Sequence, residues 1–230
     1  MFASISAKEL EKRAFRSTFQ DGIWDIYLGL LLLNMGLSVG LAQLLPLKPQ
    51  HLGAILLVVV IIIMAGFFLG KKYITTPRLG VVKFGADRQK KVQKVRLVLS
   101  LSALIGVATF LGFGSLTELF GSLPGWVAPL GLFGVSAIVV FSLGAYYLDY
   151  TRAYLYGWCY ALAFPFGIFL QESTRFGFLI SYGLMSMVMI VPGIILLLRF
   201  IREHPIPLEE MTERGVDEGL TSGELTAGGE

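Results

Sequence analysis

The sequence predicts an all-α fold, a polytopic membrane bundle of six transmembrane helices. Hydrophobic residues make up 55% of the 230-residue chain and charged residues only 15%, and the mean hydropathy is +0.71. Such a composition is too apolar for an ordinary soluble domain. Six apolar runs divide the chain, and because backbone groups find no partner in hydrocarbon, each run is expected to be helical.

The second run is the clearest of the six. It covers residues 52–70, LGAILLVVVIIIMAGFFLG, and carries no charge, which suits a hydrocarbon core about 30 Å thick. The other runs cover residues 23–45, 97–114, 126–147, 154–170 and 176–200. Pro165 and Pro192 are expected to kink the last two helices.

The distribution of Lys and Arg predicts the orientation. Six spans place 17 of the 19 basic residues on one side: four before the first span, nine in the 71–96 loop, Arg152, and three at or beyond the end of the last span. Only Lys48 and Arg175 fall on the other side. The positive-inside rule then predicts cytoplasmic N- and C-termini, and we expect a prokaryotic plasma membrane.

Three regions are predicted along the chain. Residues 1–21 have the mixed charge of a cytoplasmic amphipathic helix, and residues 22–202 form the six-helix domain. Residues 203–230 hold eight of the chain's sixteen acids and end in GLTSGELTAGGE. A tail rich in Gly, Ser, Thr and Glu is expected to be largely disordered.

The cytoplasmic 71–96 loop is the most distinctive basic segment. Its first half favours a small β-hairpin within residues 71–85, turning at PRLG around Pro77. In its second half Val92, Val95 and Leu99 have helical spacing, and Asp87 is a candidate N-cap. This pattern predicts an amphipathic helix that runs directly into the third span.

The basic loop has two interpretations. It can lie on anionic headgroups without a dedicated site, each Lys or Arg contributing about 1 kcal/mol. It can also form a site for a phosphorylated ligand or lipid headgroup, built from Arg78, Lys83 and Arg88. The candidate contacts are Arg78, Lys83, Arg88, Lys90, Lys91 and Lys94. A nucleic-acid partner is disfavoured because no recognition module accompanies the charge.

The sequence gives little support to an enzyme. Its two histidines, His51 and His204, are predicted on opposite sides of the membrane, and neither a P-loop nor HExxH is present. The lone Cys159 lies in an apolar stretch and is expected to be a small core residue. We therefore predict no catalytic residue, no metal and no cofactor.

The stretch DGIWDIYLG, residues 21–29, places acids at the start of the first span. At about 100° per residue, Asp21 and Asp25 share one helix face with Gly29, Gly36 and Gly40. A glycine face suits contact with another helix, so Asp25 is expected to point into the bundle and to need a cation. Arg152 is the first choice for that cation, ahead of Arg16 and Arg199. The predicted intramembrane polar network is Asp25, Arg152, Asn34 and Asp149.

Three function classes remain open. The first is a non-catalytic regulatory, scaffold or binding bundle that presents its basic loop and acidic tail to lipid or to a cytoplasmic protein. The second is a small transporter or channel with groups such as Asn34 along its path. The third is a lipid-modifying enzyme that acts through Asp21 and Asp25. Expected partners are anionic lipid headgroups, a cytoplasmic protein, or a second copy of the chain.

Overall fold

The computed structural model describes residues 19–45, 48–79, 86–111 and 127–205. Every regular element among these residues is helical, which confirms an all-α membrane bundle. The described ranges contain six long helices: α1 (Ile23–Leu44), α2 (Pro49–Gly70), α3 (Ala86–Leu111), α4 (Val127–Leu148), α5 (Arg152–Gln171) and α6 (Gly177–Glu203).

Five of the six helices are long and apolar enough to cross a membrane. The corresponding segments are Ile23–Leu44, Gln50–Arg78, Gly131–Leu148, Arg152–Gln171 and Gly177–Glu203. The third predicted span lies in α3, where most side chains of the apolar half fall outside the described residues. The predicted amphipathic helix before residue 19 and the acidic tail after residue 205 also lie outside them.

The core is formed where α1 packs on α6. Among the described helices, α6 makes the most extensive contact with α1. The glycine face of α1 makes this contact close. A Cβ added to Gly29 would lie 2.6 Å from the Ile190 side chain, and one added to Gly36 would fall on the side chain of Tyr182. The fifth helix, α5, also packs against α6, and α4 packs against α5. Small residues thus let the first and last helices meet almost backbone to backbone.

The fifth and sixth helices, α5 and α6, continue through their interior prolines. Pro165 lies inside α5 and Pro192 inside α6. The two helices are joined by the Ser181 hydroxyl, which donates a 2.5 Å hydrogen bond to the Ala163 carbonyl. In a membrane bundle, such a hydroxyl satisfies a backbone group that has no water available to it.

The predicted hairpin in the 71–85 loop is wrong for the residues that are described there. The chain instead continues α2 through a π-helical turn, Lys71–Thr75, into a helical turn, Thr76–Leu79. Pro77 has no N–H, and its ring would collide with the carbonyl four residues earlier in a regular α-helix. The wider turn relieves this collision, and both the N–H and the hydroxyl of Thr76 donate to the Lys71 carbonyl. Residues 80–85 lie outside the described part.

The amphipathic helix predicted before the third span is the first part of α3. Asp87 lies inside the helix Ala86–Leu111 and is therefore not its N-cap. Val95 is buried, whereas Leu99 is 54% exposed. This helix packs on α4, and Lys94 lies 5.8 Å from the centre of the Tyr147 ring.

Candidate functional site

Asp25, in the first turn of α1, is fully buried. One carboxylate oxygen accepts hydrogen bonds from the hydroxyls of Tyr150 and Tyr156. The other lies 2.8 Å from a guanidinium nitrogen of Arg152, as a charge pair and not an aligned hydrogen bond. The structure therefore brings together Asp25 and Arg152, the partner proposed for it from the sequence.

Close backbone packing places Asp25 inside the bundle. Gly22, just before α1, has a φ of 75°, a conformation that favours glycine, and an added Cβ would collide with the Gly193 carbonyl of α6. A Cβ on Gly193 would in turn lie 2.9 Å from that of Asp25. The α4–α5 turn supplies Tyr150, and the first turns of α5 supply Arg152 and Tyr156, which are four residues apart and share a helix face.

Arg152 also holds the chain that leads into α1. Its second terminal nitrogen donates a 2.9 Å hydrogen bond to the Phe19 carbonyl, and its guanidinium lies 5.3 Å from the centre of the Tyr150 ring. Burial, together with the negative charge of Asp25, raises the pKa of Tyr150. The Tyr150 hydroxyl therefore stays protonated and remains a donor to the carboxylate.

Asp21, one turn before Asp25, has its own set of partners. Its carboxylate is fully buried and accepts from the Lys71 ammonium at 2.6 Å and from the Thr75 hydroxyl at 2.5 Å. The other oxygen accepts the Ile23 N–H at 3.2 Å. These contacts join the start of α1 to the end of α2.

We call these side chains together the carboxylate latch. They are Asp21, Asp25, Lys71, Thr75, Tyr150, Arg152 and Tyr156. The sequence interpretation did not include the Asp21 contacts or the two tyrosines. The spacing of Lys71 and Thr75 could have indicated the Asp21 contacts. These residues are four apart at the end of the second span, so both side chains can face the same neighbouring helix.

The other two members of the predicted polar network are Asn34 and Asp149. Asn34 lies about 13 Å further along α1, at 1.5 Å per residue. It is 9% exposed, and its amide oxygen accepts no hydrogen bond within the described part of the chain. Asp149 has a φ of 55° in the α4–α5 turn, beside Tyr150.

The predicted basic contacts are only partly described. Arg78 donates a 2.9 Å hydrogen bond to the Ile74 carbonyl of its own helical segment. Lys90, Lys91 and Lys94 are exposed along α3. Lys83 and the side chain of Arg88 lie outside the described residues. The phosphate site predicted from Arg78, Lys83 and Arg88 thus stays a prediction.

No protein-family model, curated protein or solved structure matches the chain. Among the described residues, no group of three or more His, Cys, Asp or Glu side chains is arranged to hold a metal ion.

Proposed function

We propose that this protein is a non-catalytic integral membrane protein that binds anionic lipid headgroups through the basic first half of α3. The observation that carries the proposal is the exposure of Lys90, Lys91 and Lys94 on one continuous helix with the apolar half of α3. A positive surface at the membrane boundary attracts anionic lipid, at about 1 kcal/mol per basic residue.

The carboxylate latch supports a structural role for the two acids. Asp21 and Asp25 are both fully buried, and each is neutralised by a cation from another helical segment. A general acid or base must reach a proton on its substrate, whereas these carboxylates are enclosed by protein donors. This favours a non-catalytic bundle over a lipid-modifying enzyme.

We further propose that the end of the bundle carrying the latch faces the cytoplasm of a prokaryotic cell. The support is the count of basic residues along the sequence. The lysines of α3 and the acidic tail then share one compartment, where a cytoplasmic protein can also contact them.

The lipid proposal can be tested in nanodiscs of mixed neutral and anionic phospholipid. The full-length protein should retain anionic lipid selectively when the lipids that remain bound after gentle delipidation are identified by native mass spectrometry. Replacing Lys90, Lys91 and Lys94 together by Gln should remove most of that selectivity, whereas replacing them by Arg should preserve it. Unchanged selectivity in the Gln variant would refute the proposal.

A small transporter is the second candidate, and Asn34 is the observation that favours it. A buried amide oxygen that accepts no hydrogen bond within the described residues is costly inside a membrane, and polar groups at this depth mark pathways in transport proteins. Solute flux in proteoliposomes that Asn34→Leu abolishes would move this candidate to first place.

A further inference from the structure

A recess of about 600 Å³ opens beside the carboxylate latch, between the start of α5 and the end of α6. Its polar lining includes Gln20, Thr151, Arg152 and Arg199, and its apolar lining includes Leu196 and Phe200. This volume falls within the range of small-molecule sites in proteins. The recess lies across α4–α5 from the lysines of α3, so it is a different surface from the one proposed above.

Positive charge reaches the recess from three sources. Arg152 comes from the first turn of α5, and Arg199 comes from the end of α6. The N-terminus of α5 adds the positive end of a 20-residue helix. The Thr151 hydroxyl makes no capping hydrogen bond at this terminus. Phosphate oxygens are suited to such a set of donors.

Arg199 is the most accessible cation of the recess. Its side chain is 72% exposed, and its Nε donates a 2.7 Å hydrogen bond to Glu203. A guanidinium carries five N–H donors in a planar fork, so a bond from Nε leaves the outer edge of the group to be used by a ligand. Glu203 also lines the recess, and its negative charge orients Arg199 while lowering the local positive potential.

The apolar lining distinguishes a lipid from a free phosphate. Leu196 and Phe200 are four residues apart on one face of α6 and line the same recess as the cations. The adjacent surface of α6 is exposed at Ile195 and Leu198, which are 60% and 56% accessible. A ligand with a phosphate beside an aliphatic chain would match both surfaces.

We propose that this recess binds the phosphate group of one phospholipid molecule, with Arg199 and the N-terminus of α5 as its principal contacts. Arg152 lines the recess while its charge is paired with Asp25, so it contributes less than Arg199. A soluble phosphorylated compound offers the same phosphate but leaves Leu196 and the exposed Ile195 and Leu198 without a contact, so the lipid should bind more tightly.

The test uses the full-length protein in a neutral detergent and a short-chain phosphatidylglycerol as the probe. Arg199→Gln should weaken binding about fivefold, the equivalent of about 1 kcal/mol. Arg202→Gln is the matched control, because Arg202 is an exposed cation of the same helix end and does not line the recess. Glu203→Gln should strengthen binding, since it removes the acid beside Arg199.

Three results would overturn the inference. Equal losses in Arg199→Gln and Arg202→Gln would show a diffuse surface charge and not a site. Binding of glycerol phosphate as tight as that of the lipid would exclude the lipid assignment. Absence of measurable lipid binding by a parent protein with an intact melting transition would exclude the site itself. The variant with Gln at Lys90, Lys91 and Lys94 should bind the probe normally, so this test and that of the α3 surface can fail separately.

Discussion

Asp21 and Asp25 are one helical turn apart, and each has a cation from a different helix. Lys71 comes from the end of α2 and Arg152 from the start of α5. Removing one partner of a buried pair leaves a charge without compensation, which costs about 3–5 kcal/mol. The latch therefore holds both neighbouring segments to the first turn of α1, and its individual residues can be tested by substitution.

The charge pair predicts non-additive losses of stability. Asp25→Asn and Arg152→Gln should each lower the melting temperature in detergent by about 6–12 °C, as expected for losses of about 3 kcal/mol in a chain of this size. The double variant should lose less than the sum, because the second change removes the charge that the first left unpaired. Strictly additive losses would show that the two side chains are not coupled.

The hydrogen bonds of the latch tyrosines predict losses of stability that depend on whether the acceptor is charged. Tyr150→Phe and Tyr156→Phe each remove a donor to a carboxylate and should cost about 1.5–3 kcal/mol of unfolding free energy. Tyr160→Phe is the control, because Tyr160 donates a 2.8 Å hydrogen bond to the neutral Leu28 carbonyl and should cost about 1 kcal/mol. Denaturant titration of the three variants measures their losses of unfolding free energy. A larger loss in Tyr160→Phe than in the two latch variants would contradict the prediction.

The sequence predicted the pairing of Asp25 with Arg152 because an acid on a packed helix face needs a cation, and few cations lie at that depth. It did not separate buried from exposed tyrosines in YYLDYTRAYLYGW, a segment with the Tyr and Trp content of an interfacial aromatic belt. Tyr146 and Trp158 fit that belt at 68% and 53% exposure, whereas Tyr156 is 1% exposed. The difference depends on which face of α5 meets α1, and this is decided by packing rather than by composition.

At the scale of elements, the contact between α1 and α6 depends on side-chain size. Gly36 faces the Tyr182 side chain, and the Tyr182 Cα would lie only 3.7 Å from an added Cβ. Two helix backbones this close cannot move apart without losing contacts along their whole length.

Substitution of single glycines tests this contact. Gly36→Ala should destabilise the protein by about 1–3 kcal/mol, because the methyl group overpacks the α1–α6 contact. Gly66→Ala in α2 is the control, since nothing lies within 4 Å of its added Cβ and alanine favours helix. Thermal melting in detergent should separate the two variants, and similar melting temperatures would contradict the packing described here.

Contacts between elements also explain why residues 71–79 do not form the predicted hairpin. Pro77 and the β-branched residues before it favoured a hairpin, since local preference was the only information available. In the structure Lys71 and Thr75 both bond to Asp21, some fifty residues earlier in the chain. These contacts favour a continued helix, and the π turn accommodates the proline. A contact so distant in sequence has no local signal.

At the scale of the whole molecule, the chain should cross the membrane six times with the latch on the inner side. Cys159 is buried, so Cys159→Ala gives a background for single-cysteine variants. In intact cells an impermeant maleimide should label Ser122→Cys and Ser173→Cys but not Lys90→Cys, which should be labelled only after lysis. Protection of Ser122→Cys would show that α3 does not cross.

The contact between α1 and α6 also has a consequence for biogenesis. A ribosome delivers α1 first and α6 last, with every other span inserted between them, and domains generally fold as their segments become available. Arg152 emerges earlier and can neutralise Asp25 while Gly29, Gly36 and Gly40 still face lipid or the insertion machinery. We therefore expect charge pairing to hold the nascent bundle before helix packing does. In a chain that stops before α6, the glycine face of α1 would lack its packing partner and would be exposed to quality-control proteases.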